Sequence, residues 1–238
     1  MRAEAEEAVA AEKPKKGEKF QSALGNRVWR EVVSWFWVIV AFLFIEGTLV
    51  QARVIPSGSM EQTVLIGDHL IVSRIGYDAG FPFTNWHVPL WREPKRQQII
   101  VFRAPLPQQG FPDFIKRVIG LPGDLLEIRE GVVHINGKAL EEPYRQDPPN
   151  PRENRGPWRV PPGQYFMMGD NRENSYDSRY WGFVPRENII GTPLIIYMSI
   201  DAPEEVWEPG HIGERFATYL NAVIHPSEVR WKRLLRVF

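Results

Sequence analysis

The feature that most constrains this chain is one long apolar run, Val32 to Val50, reading VVSWFWVIVAFLFIEGTLV. Its roughly 19 residues span about 29 Å as a helix at ~1.5 Å per residue. A bilayer's hydrocarbon core is ~30 Å thick. Trp29, Trp35 and Trp37 suit an aromatic belt at one interface. Glu46 stands near the far end, within reach of headgroups or water. Val50-Gln51-Ala52 resembles the small-x-small site of a cleaved leader. Against that, about 30 residues precede the run, and it exceeds the ~7–15 residues of a leader's apolar stretch. The run therefore reads as a retained anchor. Lys15, Lys16, Lys19, Arg27 and Arg30 precede it, and only Arg53 stands just behind. That bias keeps the N-terminus cytoplasmic and puts the chain beyond Val50 on the other side. No second apolar run is long enough to cross back.

The expected organisation has four parts. Residues 1–31 form a charged cytoplasmic tail, and residues 32–50 the transmembrane anchor. Residues 51–200 form a β-rich domain with an excursion at about 125–165, and residues 201–238 a C-terminal segment packed on it. The fold class is mainly β, behind one N-terminal transmembrane helix. Short β-like runs with turn signals between them carry that reading: His69–Ile75, Gln98–Arg103, Phe114–Ile119, Leu125–Arg129, Val132–Ile135 and Leu194–Ser199. Asn136-Gly137 is a hairpin signal. The segment Phe81 to Trp91, FPFTNWHVPLW, is either a packed loop or one that dips into a membrane interface. From Glu214 to Ile224, helical spacing puts Phe216, Tyr219, Leu220, Val223 and Ile224 on one face. Packing onto the body is the first reading of that face, and contact with anionic lipid the second.

Equal numbers of basic and acidic residues, 29 each, give no bulk charge for nucleic acid. With no cysteine, disulfides, thiolate catalysis and thiolate zinc sites are excluded.

Three short stretches carry chemistry. In Ile55-Pro-Ser-Gly-Ser-Met60, Gly58 lets the backbone turn sharply beside Ser59, and Ser57 offers a second hydroxyl. Alone this is a turn, and a serine needs activation before it attacks a carbonyl. None of the five histidines sits in a recognisable triad motif. In Phe114-Ile-Lys-Arg-Val-Ile119, strand alternation puts Lys116 on a face with Phe114 and Val118, and Arg117 on the other. A lysine among apolar neighbours either snorkels to water or loses its proton readily and becomes a base. The third stretch, Gly169 to Gly182, is dense in hydrogen-bonding groups and comes after Tyr165-Phe-Met-Met, a core-like strand. Ser175 could orient a lysine amine there, and Asp177 with Arg179 could brace the loop. Its carboxylates lack the EF-hand pattern.

In this order, behind an anchor, PSGSM, FIKRVIGLPGD and GDNRENSYDSRYWGFVP closely resemble the type I signal peptidases of bacteria. The resemblance implies Ser59 as nucleophile and Lys116 as general base. It implies Ser57 as the side-chain donor of an oxyanion hole, Ser175 as the residue holding the lysine amine, and Asp177 and Arg179 as support. Arg117 and Asp170 match a structural pair, and Ile55, Pro56, Met60 and Ile115 match positions near the small substrate pockets. It further implies preproteins bearing signal peptides as substrates, no cofactor or metal, and a place in the bacterial plasma membrane beside the lipid bilayer and the secretion translocon. Two alternatives are another Ser/Lys peptidase, such as the self-cleaving repressors, and an inactive tethered scaffold. The family pattern usually has proline where Gln62 stands, Arg-Gly-Asp where Arg96-Gln97-Gln98 stands, and aspartate at Glu173.

Overall fold

The computed structural model describes residues 16–80, 86–104, 113–145 and 147–238, with side chains from residue 27 onward. The tail before residue 16 and the start of the Phe81–Trp91 segment lie outside them. The chain divides into two units, Met1–Phe44 and Ile45–Phe238. Helix α1 (Lys16–Thr48) accounts for the described part of the first. Within α1, Arg27–Thr48 is long and apolar enough to cross a membrane, with mean hydropathy 1.8.

The second unit is mainly β, and all its strand pairings are antiparallel. In chain order its strands are β1 (Val50–Val54), β2 (Asp68–Ser73), β3 (Asp78–Gly80), β4 (His87–Pro89), β5 (Ile99–Arg103), β6 (Asp113–Gly120), β7 (Leu125–Arg129), β8 (Val132–Ile135), β9 (Lys138–Ala139), β10 (Arg155–Arg159), β11 (Gln164–Met168), β12 (Val184–Pro185) and β13 (Ile189–Ser199). Seven of them make one sheet in the order β1-β2-β13-β5-β6-β11-β12, and β10-β7-β8-β9 make a second. Strands β3 and β4 pair as a separate ribbon.

Strand β5 reads Ile-Ile-Val-Phe without alternation because both its faces are covered. Ile99 and Val101 enter one apolar cluster with Ile55, Leu70 and Ile115, while Ile100 and Phe102 enter another with Val118 and Tyr165. Burying each such side chain contributes about 1.5–3 kcal/mol. The β8–β9 turn is Asn136-Gly137, with φ of 53° and 81°. Two positive φ values in a row suit the right-handed twist of a two-residue hairpin. The turn from β7 to β8, Glu130-Gly131, repeats this at 48° and 75°.

Three short helices complete the unit: α2 (Ser178–Trp181), α3 (Glu204–Trp207) and α4 (Ile212–Ile224). Helix α4 departs from the first reading of its apolar face. Ala222 is buried and Tyr219 packs inward, but Phe216, Leu220, Val223 and Ile224 are exposed. The apolar face is wider than the strip the body can cover. The C-terminal segment is tied to the body by buried Trp207, which packs in a cluster with Ile200, Val54 and Ile66, and by polar contacts: Arg233 pairs with the fully buried Asp68 at 2.6 Å, and Leu235 N–H donates to Ile196 C=O at 2.8 Å. In the Phe81–Trp91 segment, the described Trp86 and Trp91 are exposed, which does not match a packed loop.

Candidate active site

Ser59 lies in a single 3-10 turn, Gly58–Met60, directly after the extended Ser57. The turn is buried, with Met60 in the apolar cluster of Ile55 and Ile115. Lys116 comes from the middle of β6 and is almost fully buried. Its Nζ lies 2.5 Å from Ser59 Oγ. Strand alternation holds as expected, with Phe114 and Val118 in the cluster on the Lys116 side and Ile115 in the other. Loss of solvation pushes the Lys116 amine down to about 8, against the opposing charges of Asp177 and Asp170. Burial wins because a cation in a low-dielectric setting loses more hydration than those two carboxylates restore.

Asp177 organises the loop behind the amine. It is fully buried and accepts from the Ser175 hydroxyl at 2.7 Å, from Gly169 N–H at 3.1 Å and from Arg179 Nε at 2.9 Å. Arg179 also reaches Glu153 and the Arg172 carbonyl. The Ser175 hydroxyl gives its one proton to Asp177. A carboxylate is the stronger acceptor, so it takes the hydroxyl proton. Arg117 and Asp170 form a buried two-pronged pair at 2.8 and 2.6 Å, and the Thr63 hydroxyl donates to Asp170 at 2.6 Å.

A cleft of about 300 Å³ opens in front of Ser59 and Lys116. Ile55, Pro56, Ser57 and Ile115 line it. Met60 does not; it is fully buried in the same apolar cluster as Ile55 and Ile115 and backs their wall.

Residues 28–198 match the family described as signal peptidase, peptidase S26. The chain belongs to that family. It is 42% identical over 165 residues to "Probable signal peptidase I-2" of Synechocystis sp., covering 68% of this chain and 69% of that one. It is 41% identical over 177 residues to the signal peptidase I of Leptolyngbya laminosa, covering 72% and 80%. With the signal peptidase I of Pseudomonas fluorescens it shares 35% over 208 residues, covering 72% of each. A signal peptidase of this kind is a hydrolase, a serine endopeptidase.

Two departures from the signal peptidase pattern acquire a structural meaning. Gln62 has φ of 79°. Proline is held near −65° and cannot adopt it, so the turn after Met60 takes a different path from one built on proline. Gln97 has φ of 65°, the left-handed region that glycine enters freely. Its carbonyl accepts from Arg117 at 2.6 Å, so the backbone keeps a turn suited to glycine without the glycine.

Several site residues escape sequence reasoning. A Cβ on Gly169 would stand 2.3 Å from Ser175 Oγ and 2.4 Å from the Ser59 carbonyl, so only glycine lets these two approach. Asn171 N–H donates to the Ser59 carbonyl at 3.2 Å, and its side chain to the Gly58 carbonyl at 3.2 Å. Arg172 pairs with Glu142 from the excursion. Each stands in a legible polar stretch, but its partner is far away in sequence.

Proposed function

We propose that this chain is a membrane-tethered endopeptidase that removes N-terminal signal peptides from exported preproteins through a Ser59/Lys116 dyad. The observation that carries the reading is the 2.5 Å approach of Lys116 Nζ to Ser59 Oγ at the floor of an open cleft. A neutral amine takes the serine proton as Oγ attacks the scissile carbonyl, forming the C–O bond of a tetrahedral intermediate. The Ser57 hydroxyl and the Ser59 N–H stabilise its oxyanion. One such donor is worth on the order of 10²–10³ in rate. The ammonium then gives its proton to the leaving amine as the C–N bond breaks. Water, deprotonated by the same lysine, releases the signal peptide from the acyl-enzyme. Ser175, Asp177 and Arg179 act as positioning residues behind the amine, and Arg117 with Asp170 braces the strand that carries it.

Substrate enters as an added strand. Among the described residues, strand β1 pairs only with β2, and Asp113–Lys116 of β6 pair only with β5, which leaves a backbone edge open on each side of the cleft. Small side chains at the first and third positions before the cut enter the cleft, and Ile55, Pro56 and Ile115, backed by Met60, accept the first. The span in α1 holds the enzyme in the bacterial plasma membrane. Its N-terminus is cytoplasmic, and its cleft works on the outer side where preproteins leave the translocon.

The test is cleavage of a fluorogenic Ala-x-Ala peptide in detergent by the parent, Ser59→Ala and Lys116→Met. Cleavage by the parent alone, with all three folded, upholds the dyad. Equal behaviour of the three removes it and leaves another hydrolase or an inert scaffold.

A further inference from the structure

Arg53 and Asp113 stand on the two free edges that flank the cleft, and their side chains meet at 2.5 Å. Arg53 lies opposite Leu70 in the β1–β2 register and shares its side of the strand with Ile55. Asp113 opens β6 and shares a face with Ile115. The step from the Ile55–Ile115 level to the Arg53–Asp113 level is therefore two residues on both sides of the cleft. A substrate strand repeats with the same period, so its residues two apart meet the same wall. With the side chain before the cut held by Ile55 and Ile115 beside Ser59, the side chain two positions earlier meets the ion pair.

That level of the cleft is charged where the first is apolar. Its two side chains are only 35% and 15% exposed. Burial raises the Asp113 carboxyl, and Arg53 is foremost among the cations that oppose it. Arg53 Nε is buried with no acceptor among the described residues. Such donors are uncommon, and supplying an oxygen removes their cost. An aliphatic side chain at this level strips the remaining water from the pair and supplies nothing. A hydroxyl of the same size supplies an acceptor.

We propose that the Arg53–Asp113 ion pair is a specificity-determining wall for the third residue before the cut, favouring small hydrogen-bonding side chains such as threonine or serine over aliphatic ones such as valine. The inference rests on the signal-peptidase reading above.

Threonine and valine differ little in shape, so they isolate the hydroxyl. The experiment uses the full chain in detergent and three peptides identical except for Ala, Thr or Val three residues before the cut. In the parent, kcat/KM for the Thr peptide exceeds that for the Val peptide by about tenfold or more. Arg53→Met and Asp113→Asn, which break the pair from opposite sides, bring that ratio toward one. Because the ratio is taken within each protein, a general loss of rate cancels. A parent ratio near one, or a ratio unchanged in a folded variant, overturns the inference. Failure of the parent to cut the Ala peptide strikes the peptidase reading itself, whereas a cut Ala peptide with equal Thr and Val rates strikes only the ion-pair wall.

Discussion

Lys116 Nζ and Ser59 Oγ stand 2.5 Å apart although 57 residues separate them in the chain. The amine that makes this approach is buried and pushed down to about 8. Only its neutral form can accept the serine proton.

This sets the pH dependence of the rate. Below about pH 8 the amine is protonated, and kcat/KM falls about tenfold for each unit of acidification. Above it the profile levels off. Asp177 is the leading charge that raises this lysine, and Arg179 lowers it. Asp177→Asn removes the first and frees the second, so the acid limb moves to lower pH in whatever activity remains. A pH–rate profile with a peptide substrate measures both, and a flat parent profile from mildly acid to alkaline pH removes lysine as the base.

The same burial costs stability. Lys116 drops from 10.5 to about 8, which corresponds to about 3 kcal/mol. Below pH 8 both folded and unfolded chains hold the proton and the cost is full. Between about 8 and 10.5 the unfolded chain holds more protons, so stability rises with pH, and above 10.5 the cost is gone. Lys116→Met abolishes this rise and leaves the variant more stable than the parent at neutral pH. Denaturant titrations of both proteins at pH 7 and pH 10 check it.

Gly169→Ala should damage the site without touching a reactive group. The new Cβ meets the Ser59 carbonyl and the Ser175 side chain, all closer than 3 Å. Overpacking of this kind costs about 1–3 kcal/mol. A displacement of Ser59 by ~1 Å costs on the order of 10² in rate. The expected result is a folded protein with lower melting temperature and kcat reduced far more than KM is raised. Wild-type kcat would show that the loop has room to yield.

Gln62→Pro, which restores the commoner family residue, should destabilise this protein, because φ of 79° excludes proline. Gln62→Gly should stabilise it by up to about 1 kcal/mol by removing left-handed strain. Thermal melts of the two variants give opposite shifts from the parent. A rise in melting temperature for Gln62→Pro would mean that the turn takes the proline path after all.

Much of the molecule was legible before folding. The strands around β5 to β8 announce themselves through apolar runs, and the β8–β9 turn through Asn136-Gly137. The short strands β3, β4 and β10 did not, because proline, glycine and charge dilute their pattern and they form only by pairing with a neighbour. The face of α4 was legible as apolar, but periodicity reports composition and not what covers it.

By itself the sequence determined the chemistry on offer: an apolar span, a serine after a glycine turn, a lysine on an apolar strand face and a polar loop behind a core strand. Tertiary structure alone decided which of these groups meet. It set Lys116 against Ser59, gave the Ser175 hydroxyl to Asp177 and closed Arg53 onto Asp113 across the cleft. The reason is that residue type and local period act over a few positions, whereas burial, a lowered pKa and an ion pair arise only where strands distant in sequence are brought to a few ångströms.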